Sequence, residues 1–203
     1  MITIIELINS VTANVLTAIY ESLGFSILLA FFFMFFYMFS KKYGWKLTLK
    51  KWIQEFREHR LFRYVFFLIL FSIMILFRTL LNRNMWMNPL SDVMGGWWIY
   101  DKDGKFTTEA FENVLLFVPF TILLFMVLKL KWNKKCFRLG CIVICSIQYT
   151  GLFSLGIEFF QFMFRLGTFQ FADLVYNTLG GIIGGLLYYV GCKIVYFINC
   201  KKE

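Results

Sequence analysis

The sequence predicts an all-α membrane protein with about five transmembrane helices. Hydrophobic residues make up 60% of the 203-residue chain, whereas soluble domains contain about 45–50%. They are concentrated in runs that carry almost no charge, and a helix needs about 20 apolar residues to cross a bilayer. The runs occupy residues 20–39, 64–81, 114–128, 139–160 and 174–198. Short connections separate them, so we expect no additional soluble domain.

The basic residues predict the orientation of these helices. Residues 1–40 contain neither Lys nor Arg, whereas basic residues are concentrated in residues 41–63, in residues 129–138 and, as two Lys, in the C-terminal tail. Because connections rich in Lys and Arg remain in the cytoplasm, the N-terminus is expected outside and the C-terminus inside. This pattern accounts for the net charge of +9, so we expect membrane lipids rather than nucleic acid as partners.

Two segments beside the first run are predicted to differ from simple spans. Residues 6–17 mix apolar side chains with Asn, Ser and Thr, and form either an interfacial helix or the start of the first span. Residues 46–60 combine basic side chains with Trp and Phe, which is typical of a helix lying on the inner leaflet. We therefore divide the chain into an N-terminal span with a basic cytoplasmic interfacial segment, residues 1–63, and a four-helix transmembrane domain, residues 64–203.

Polar side chains within the predicted spans are the strongest functional signal, because such groups are costly in a bilayer unless they face a bundle interior or a wet cavity. Under the predicted orientation they all lie toward the outer face. Glu158, Gln161 and Arg165 share one helical face, as do Asp173 and Asn177. The predicted pocket for a lipid or another ligand consists of Arg78, Asn82, Asn113, Glu158, Gln161, Arg165, Asp173 and Asn177.

Several kinds of chemistry are open to this set. Glu158 and Asp173 are candidate catalytic acid and base residues, while Arg78 could hold a phosphate or neutralise one of the two carboxylates. A structural interpretation also stands, in which Asp173 caps its helix and Glu158 pairs with Arg165. The five cysteines and His59 lack metal-ligand spacing, so we expect neither a metal nor another cofactor.

Small residues in the last run predict close helix packing. Gly180, Gly181, Gly184 and Gly185 form two overlapping pairs four residues apart, which lets this span approach a neighbouring helix closely. The same face permits a homodimer. Pro119 lies inside the third span, which we expect to begin upstream through Glu112 and Asn113, and the proline is expected to kink that helix.

Three motifs resemble VanZ-like proteins, and the resemblance extends from about Arg78 to Gly185. Arg78 followed by the pair Asn88-Pro89 fits the same pattern. The family often has an Arg where Thr168 stands and an acidic residue where Ala172 stands, so the chain departs from it at two positions. The motifs are Asn113-Val-Leu-Leu-Phe-Val-Pro119-Phe, Ile157-Glu158-x-x-Gln161 and Asp173-Leu-x-x-Asn177-Thr-x-Gly180-Gly181.

The resemblance implies a multi-pass protein of the bacterial cytoplasmic membrane whose four-helix domain is the VanZ-like part. The family's named member is associated with resistance to teicoplanin-type glycopeptides, and the family does not define a reaction. Our first hypothesis is therefore tolerance to such antibiotics, through binding of a lipid, a lipid-linked cell-wall precursor or the antibiotic in the outward-facing polar pocket. The alternative is an intramembrane enzyme that modifies a lipid headgroup or a lipid-linked cell-envelope sugar.

Overall fold

The computed structural model describes residues 4–39, 44–81, 88–97, 106–131 and 138–200. The secondary-structure elements of these residues are all helices, as predicted. A single π-helical turn, Phe77–Leu81, continues the third helix. In chain order the helices are α1 (Ile4–Phe39), α2 (Trp45–Glu58), α3 (Arg60–Leu76), α4 (Glu109–Lys131), α5 (Leu139–Phe164) and α6 (Phe171–Cys200).

Four helices are long and apolar enough to cross a membrane, and they correspond to the second to fifth predicted spans. α4 begins upstream of Glu112, as expected, and continues as one helix through Pro119, so the predicted kink stays a prediction. The predicted orientation in the membrane also stays a prediction. The four candidate spans are Arg60–Leu80, Glu109–Lys131, Leu139–Phe164 and Phe171–Asn199.

α1 contains the first predicted span within a single helix of 36 residues. At 1.5 Å per residue it is about 54 Å long, whereas the hydrocarbon core of a bilayer is about 30 Å thick. Its shorter apolar stretches are Ile4–Thr17 and Leu23–Phe39. Residues 6–17 are thus continuous with the predicted span rather than a separate helix, and their depth in the bilayer stays a prediction.

The glycines of α6 position this helix between α4 and α5. A Cβ atom on Gly180 would lie 2.9 Å from the Cα atom of Val114 in α4. A Cβ atom on Gly181 would lie 2.5 Å from the Cγ2 atom of Thr150 in α5. The second glycine of each pair repeats these approaches one turn later. The small-residue pattern therefore permits two close helix contacts, one on each side of α6.

Aromatic side chains hold α2 against α1 and α3. The ring of Trp52 lies 4.9 Å from that of Phe31 in α1 and 6.0 Å from that of Phe66 in α3. Trp52 is buried, and so is Thr48 one turn before it. The predicted basic segment therefore forms a helix with its apolar face on the bundle, while its location at the inner leaflet stays a prediction.

Candidate ligand-binding site

Arg78 and Glu112 form an ion pair between α3 and α4. Arg78 lies on the π-helical turn, and single π-helical turns are frequent at functional sites. Its guanidinium contacts the Glu112 carboxylate, which is 3% exposed, whereas Arg78 keeps an exposure of 29%. Neutralisation of Glu158 or Asp173 by Arg78 stays a prediction. The ion pair that the structure describes joins Arg78 to Glu112, a residue that is not part of the predicted pocket.

A chain of hydrogen bonds extends from this ion pair to α1. Thr108, the residue before α4, donates its hydroxyl to the Glu112 carboxylate over 2.5 Å. The Asn14 side-chain amide in turn donates to the Thr108 hydroxyl over 2.6 Å. The bond between Thr108 and Glu112 is buried, whereas the bond from Asn14 is only partly buried because Asn14 is exposed. The N-terminal half of α1 is therefore tied to the start of α4 by polar contacts as well as by packing.

A cavity of about 420 Å³ opens beside this hydrogen-bond chain. α1 contributes its polar side chains at one-turn intervals, which places them on one face of the helix. The other walls come from the π-helical turn and from the first residues of α4 with the segment before it. The lining residues are Ser10, Asn14, Thr17, Arg78, Phe106, Thr107, Thr108, Glu109 and Glu112.

Glu158 and Gln161 lie in a buried polar layer on α5, each 1% exposed. The Glu158 carboxylate accepts a 2.8 Å hydrogen bond from the backbone N–H of Gln170, in the connection to α6. The Gln161 side-chain amide donates to the backbone carbonyl of Thr79, also over 2.8 Å. Because Thr79 follows Arg78 on the π-helical turn, Gln161 connects this polar layer to the segment that carries the ion pair.

Asp173 and Asn177 extend the layer onto α6. Asn113 of α4 donates its amide to the Asp173 carboxylate, and Asn177 donates its amide to the Ser154 hydroxyl of α5, each over 2.8 Å. The side-chain oxygens of Asn177 and Gln161 are buried and accept no hydrogen bond from the described residues. Each oxygen can therefore accept a further hydrogen bond. Burial of an acceptor without a donor lowers the free energy of unfolding by about 1–3 kcal/mol.

The segment 88–97 packs over the connection between α5 and α6. The backbone N–H of Phe169 donates to the Pro89 carbonyl over 2.9 Å, and that of Phe171 donates to the Val93 carbonyl over 2.8 Å. Gly95 adopts a φ of +70°, a conformation that glycine accepts without steric cost. These contacts fix the backbone beside Gln170 and hence the hydrogen bond that Glu158 accepts.

The structure separates Arg165 from the buried residues of its predicted set. It adopts a left-handed conformation, with φ 55° and ψ 35°, at the end of α5. The next N–H, that of Leu166, bonds back to the Gln161 carbonyl over 2.9 Å, which ends the helix in the way that left-handed C-terminal residues usually do. Glu158 and Gln161 are buried as one helical face, whereas Arg165 is exposed. Asn82 lies outside the described residues.

Sequence reasoning missed Asn14 and Thr108. Thr108 stands four residues before Glu112 at a helix start, and this spacing is a usable local signal. Asn14 lies 94 residues from Thr108, and its only signal was a polar side chain in an otherwise apolar segment. Within the described ranges, no group of three or more His, Cys, Asp or Glu side chains has the geometry to hold a metal ion.

Comparisons with known proteins identify the family. The VanZ/LLP1 family profile matches residues 23–195, which includes most of the chain and extends upstream of the motifs that first indicated it. Protein VanZ of Enterococcus faecium is 31% identical over 94 residues, which cover 46% of this chain and 50% of that protein. The chain thus spans half the length of this curated relative. No solved structure matches. With its four candidate spans, the chain is a multi-pass membrane protein that belongs to the VanZ/LLP1 family.

Proposed function

We propose that this protein confers tolerance to teicoplanin-type glycopeptides by binding a polar group in the cavity beside Arg78 and Glu112. The group belongs to a lipid, to a lipid-linked cell-wall precursor or to the antibiotic itself. The observation that carries the proposal is the cavity, which is lined by hydroxyl, amide, carboxylate and guanidinium groups in a chain that is otherwise mainly apolar. Polar groups at membrane depth are costly and usually mark a functional site.

The charge of the cavity lining favours a particular chemical class of ligand. Arg78 is already paired with Glu112, and Glu109 adds a second carboxylate to the lining. The described walls therefore present more negative than positive charge, alongside several hydroxyl groups and the amide of Asn14. These groups suit the hydroxyl, amide and ammonium groups of a sugar or peptide headgroup better than they suit an isolated phosphate.

A lipid-linked ligand also suits the location. α1 and α4 both continue from the cavity into long apolar stretches. A ligand with an acyl or polyprenyl chain can therefore keep its tail in the bilayer while its headgroup occupies the cavity. The predicted orientation places this end of the helices at the outer face, where cell-wall precursors and glycopeptides meet.

A second candidate function is an intramembrane enzyme acting on a lipid headgroup or a lipid-linked sugar. Two carboxylates support it: Glu158 is 1% exposed and Asp173 is 7% exposed. Buried carboxylates are suited to acid–base catalysis. This function predicts a changed lipid or precursor profile between cells that express the wild type and cells that express Glu158→Gln, whereas a binding protein would leave that profile unchanged.

The test of the binding function uses a glycopeptide-sensitive bacterial host that expresses the full chain. We expect the wild type to raise the inhibitory concentration of teicoplanin. Asn14→Ala should lower that gain, because it removes a polar wall and the hydrogen bond to Thr108. Asn9→Ala is the matched control, since Asn9 is an exposed residue of the same helix that does not line the cavity.

Protein levels in the membrane fraction must be equal for this comparison. A wild-type chain that leaves teicoplanin susceptibility unchanged contradicts the proposed function. Equal effects of Asn14→Ala and Asn9→Ala contradict the assignment of the cavity. Unchanged binding of a labelled teicoplanin or precursor to purified Asn14→Ala protein would also count against it.

A further inference from the structure

A second cavity lies near the opposite end of α3 from Arg78. It has a volume of about 590 Å³ and is lined by the C-terminal half of α1, the end of α2 and the start of α3. Its walls are mostly apolar and include Phe33, Met34 and Val65, whereas Glu55 and His59 are polar lining residues. On α3 the lining of this groove extends from Leu61 to Ile69, and Arg78 lies nine residues beyond Ile69, about 14 Å along the helix.

α2 and the α2–α3 junction beside this groove are basic overall, although Glu55 lines the groove itself. Residues 44–63 contain six Lys and Arg residues but only two Glu residues. Arg57 and Arg60 flank His59, and both are exposed. Basic residues near a membrane surface attract anionic lipids, with about 1 kcal/mol for each residue. An apolar groove beside a basic junction is complementary to a molecule with an apolar chain and an anionic head.

The backbone at the junction supports the same ligand class. His59 is extended, with φ −104° and ψ 111°, and its side chain does not cap the first turn of α3. The first amide N–H groups of a helix have no partner within the helix and favour an anion. Leu61 and Phe62 lie in this turn and line the groove, so the apolar wall and the amides of the first turn come from the same residues.

We propose that this groove binds one acyl chain of an anionic phospholipid, with the lipid phosphate at the α2–α3 junction. Under the predicted orientation, the lipid belongs to the inner leaflet. The bound lipid would fill the space between α1 and α3 and would hold α2 against the membrane surface. The site is independent of the polar cavity beside Arg78, so its test can fail while the proposed tolerance function stands.

The experiment measures lipid retention by the purified full-length protein. Protein in detergent is stripped of lipid, incubated with phosphatidylglycerol or with phosphatidylcholine of the same acyl chains, and examined by native mass spectrometry. We expect one phosphatidylglycerol to be retained in preference to phosphatidylcholine. Val65→Trp should abolish this retention by filling the groove. Val190→Trp is the matched control, because Val190 is a 52% exposed residue of α6 that does not line the groove.

A second pair of variants tests the headgroup without altering the apolar walls. Arg57→Gln with Arg60→Gln should reduce the preference for phosphatidylglycerol by about fivefold for each residue, the factor that corresponds to about 1 kcal/mol. Lys131→Gln with Arg138→Gln removes the same charge from exposed positions at the same predicted face and should leave the preference unchanged. These surface variants test the proposed lipid site even if Val65→Trp does not fold.

Three outcomes would overturn the proposal. The first is equal retention of the two lipids by the wild type, which would indicate a non-selective acyl groove. The second is full retention by folded Val65→Trp protein. The third is the same loss of preference in both double variants, which would indicate attraction to overall charge rather than a site at the junction.

Discussion

The ion pair between Arg78 and Glu112 yields the sharpest prediction about stability and function together. Glu112→Gln keeps the shape of the side chain and an oxygen that can accept from Thr108, but it leaves Arg78 without the described counter-ion. Breaking a buried ion pair on one side costs about 3–5 kcal/mol. Because Arg78 keeps an exposure of 29%, water can partly solvate it, and we expect a value near the lower limit, about 3 kcal/mol.

This loss is large enough to measure in detergent or in nanodiscs. For a chain of about 200 residues, 1 kcal/mol corresponds to about 2–4 °C in Tm, so Glu112→Gln should lower the Tm by about 6–12 °C. Glu109→Gln is the matched control, because Glu109 is an exposed carboxylate of the same helix turn. It should lower the Tm by less than about 2 °C, since surface substitutions usually change stability by about 0.5 kcal/mol or less.

A double variant separates the structural role of the pair from its role in binding. Arg78→Met with Glu112→Leu removes both charges, and replacement of a buried ion pair by apolar residues is often neutral for stability. We therefore expect this variant to recover most of the Tm that Glu112→Gln loses. If the cavity binds a ligand through these charged groups, the double variant should nevertheless not confer teicoplanin tolerance.

Two results would refute this reasoning. A Tm change below about 2 °C for Glu112→Gln, which is less than 1 kcal/mol for a chain of this size, would mean that the pair is not buried as described. Full tolerance in the stable double variant would mean that the charged groups do not take part in ligand binding. The pair would then serve only to join α3 to α4.

Three further predictions concern the packing around the site. Gly180→Val should prevent accumulation of folded protein, because a side chain there would meet the backbone of α4, whereas Gly191→Val in the same helix, with open space around it, should accumulate normally on immunoblots of membranes. Gly95→Ala should lower the free energy of unfolding by about 1 kcal/mol, since only glycine adopts its φ without cost, and an unchanged Tm would contradict this. Gln161→Leu should lower the free energy of unfolding by about 1–3 kcal/mol, because the buried carbonyl of Thr79 loses its donor. Chemical denaturation of purified protein measures this change.

Much of the fold was predictable because helix formation in a bilayer depends mainly on the local sequence. A spanning segment must satisfy its backbone hydrogen bonds internally, so an apolar run of sufficient length specifies a helix without reference to the rest of the chain. The runs at 64–81, 114–128, 139–160 and 174–198 all correspond to such helices. The predicted extension of the third span through Glu112 is confirmed, because α4 begins at Glu109. Elsewhere the helix boundaries differ from the predicted ones by a few residues, as at Arg60 and Phe171.

The candidate site was predictable in part for a related reason. A polar residue in an apolar run needs a partner, and Glu158, Gln161, Asp173 and Asn177 are all buried and hydrogen-bonded. Their spacing along α5 and α6 indicated which of them share a helical face. The same periodicity did not reveal that a left-handed residue ends α5 at Arg165 and leaves that side chain exposed.

The sequence by itself therefore determined the helices, their apolar character and the polar residues that needed partners. Only the tertiary structure decided which partners they have. It pairs Arg78 with Glu112, brings Asn14 to Thr108 across 94 residues, and directs one glycine pair to α4 and the other pair to α5. The physical reason is that helical periodicity orients side chains around one axis, whereas the rotation and depth of each helix relative to its neighbours depend on packing over the whole bundle.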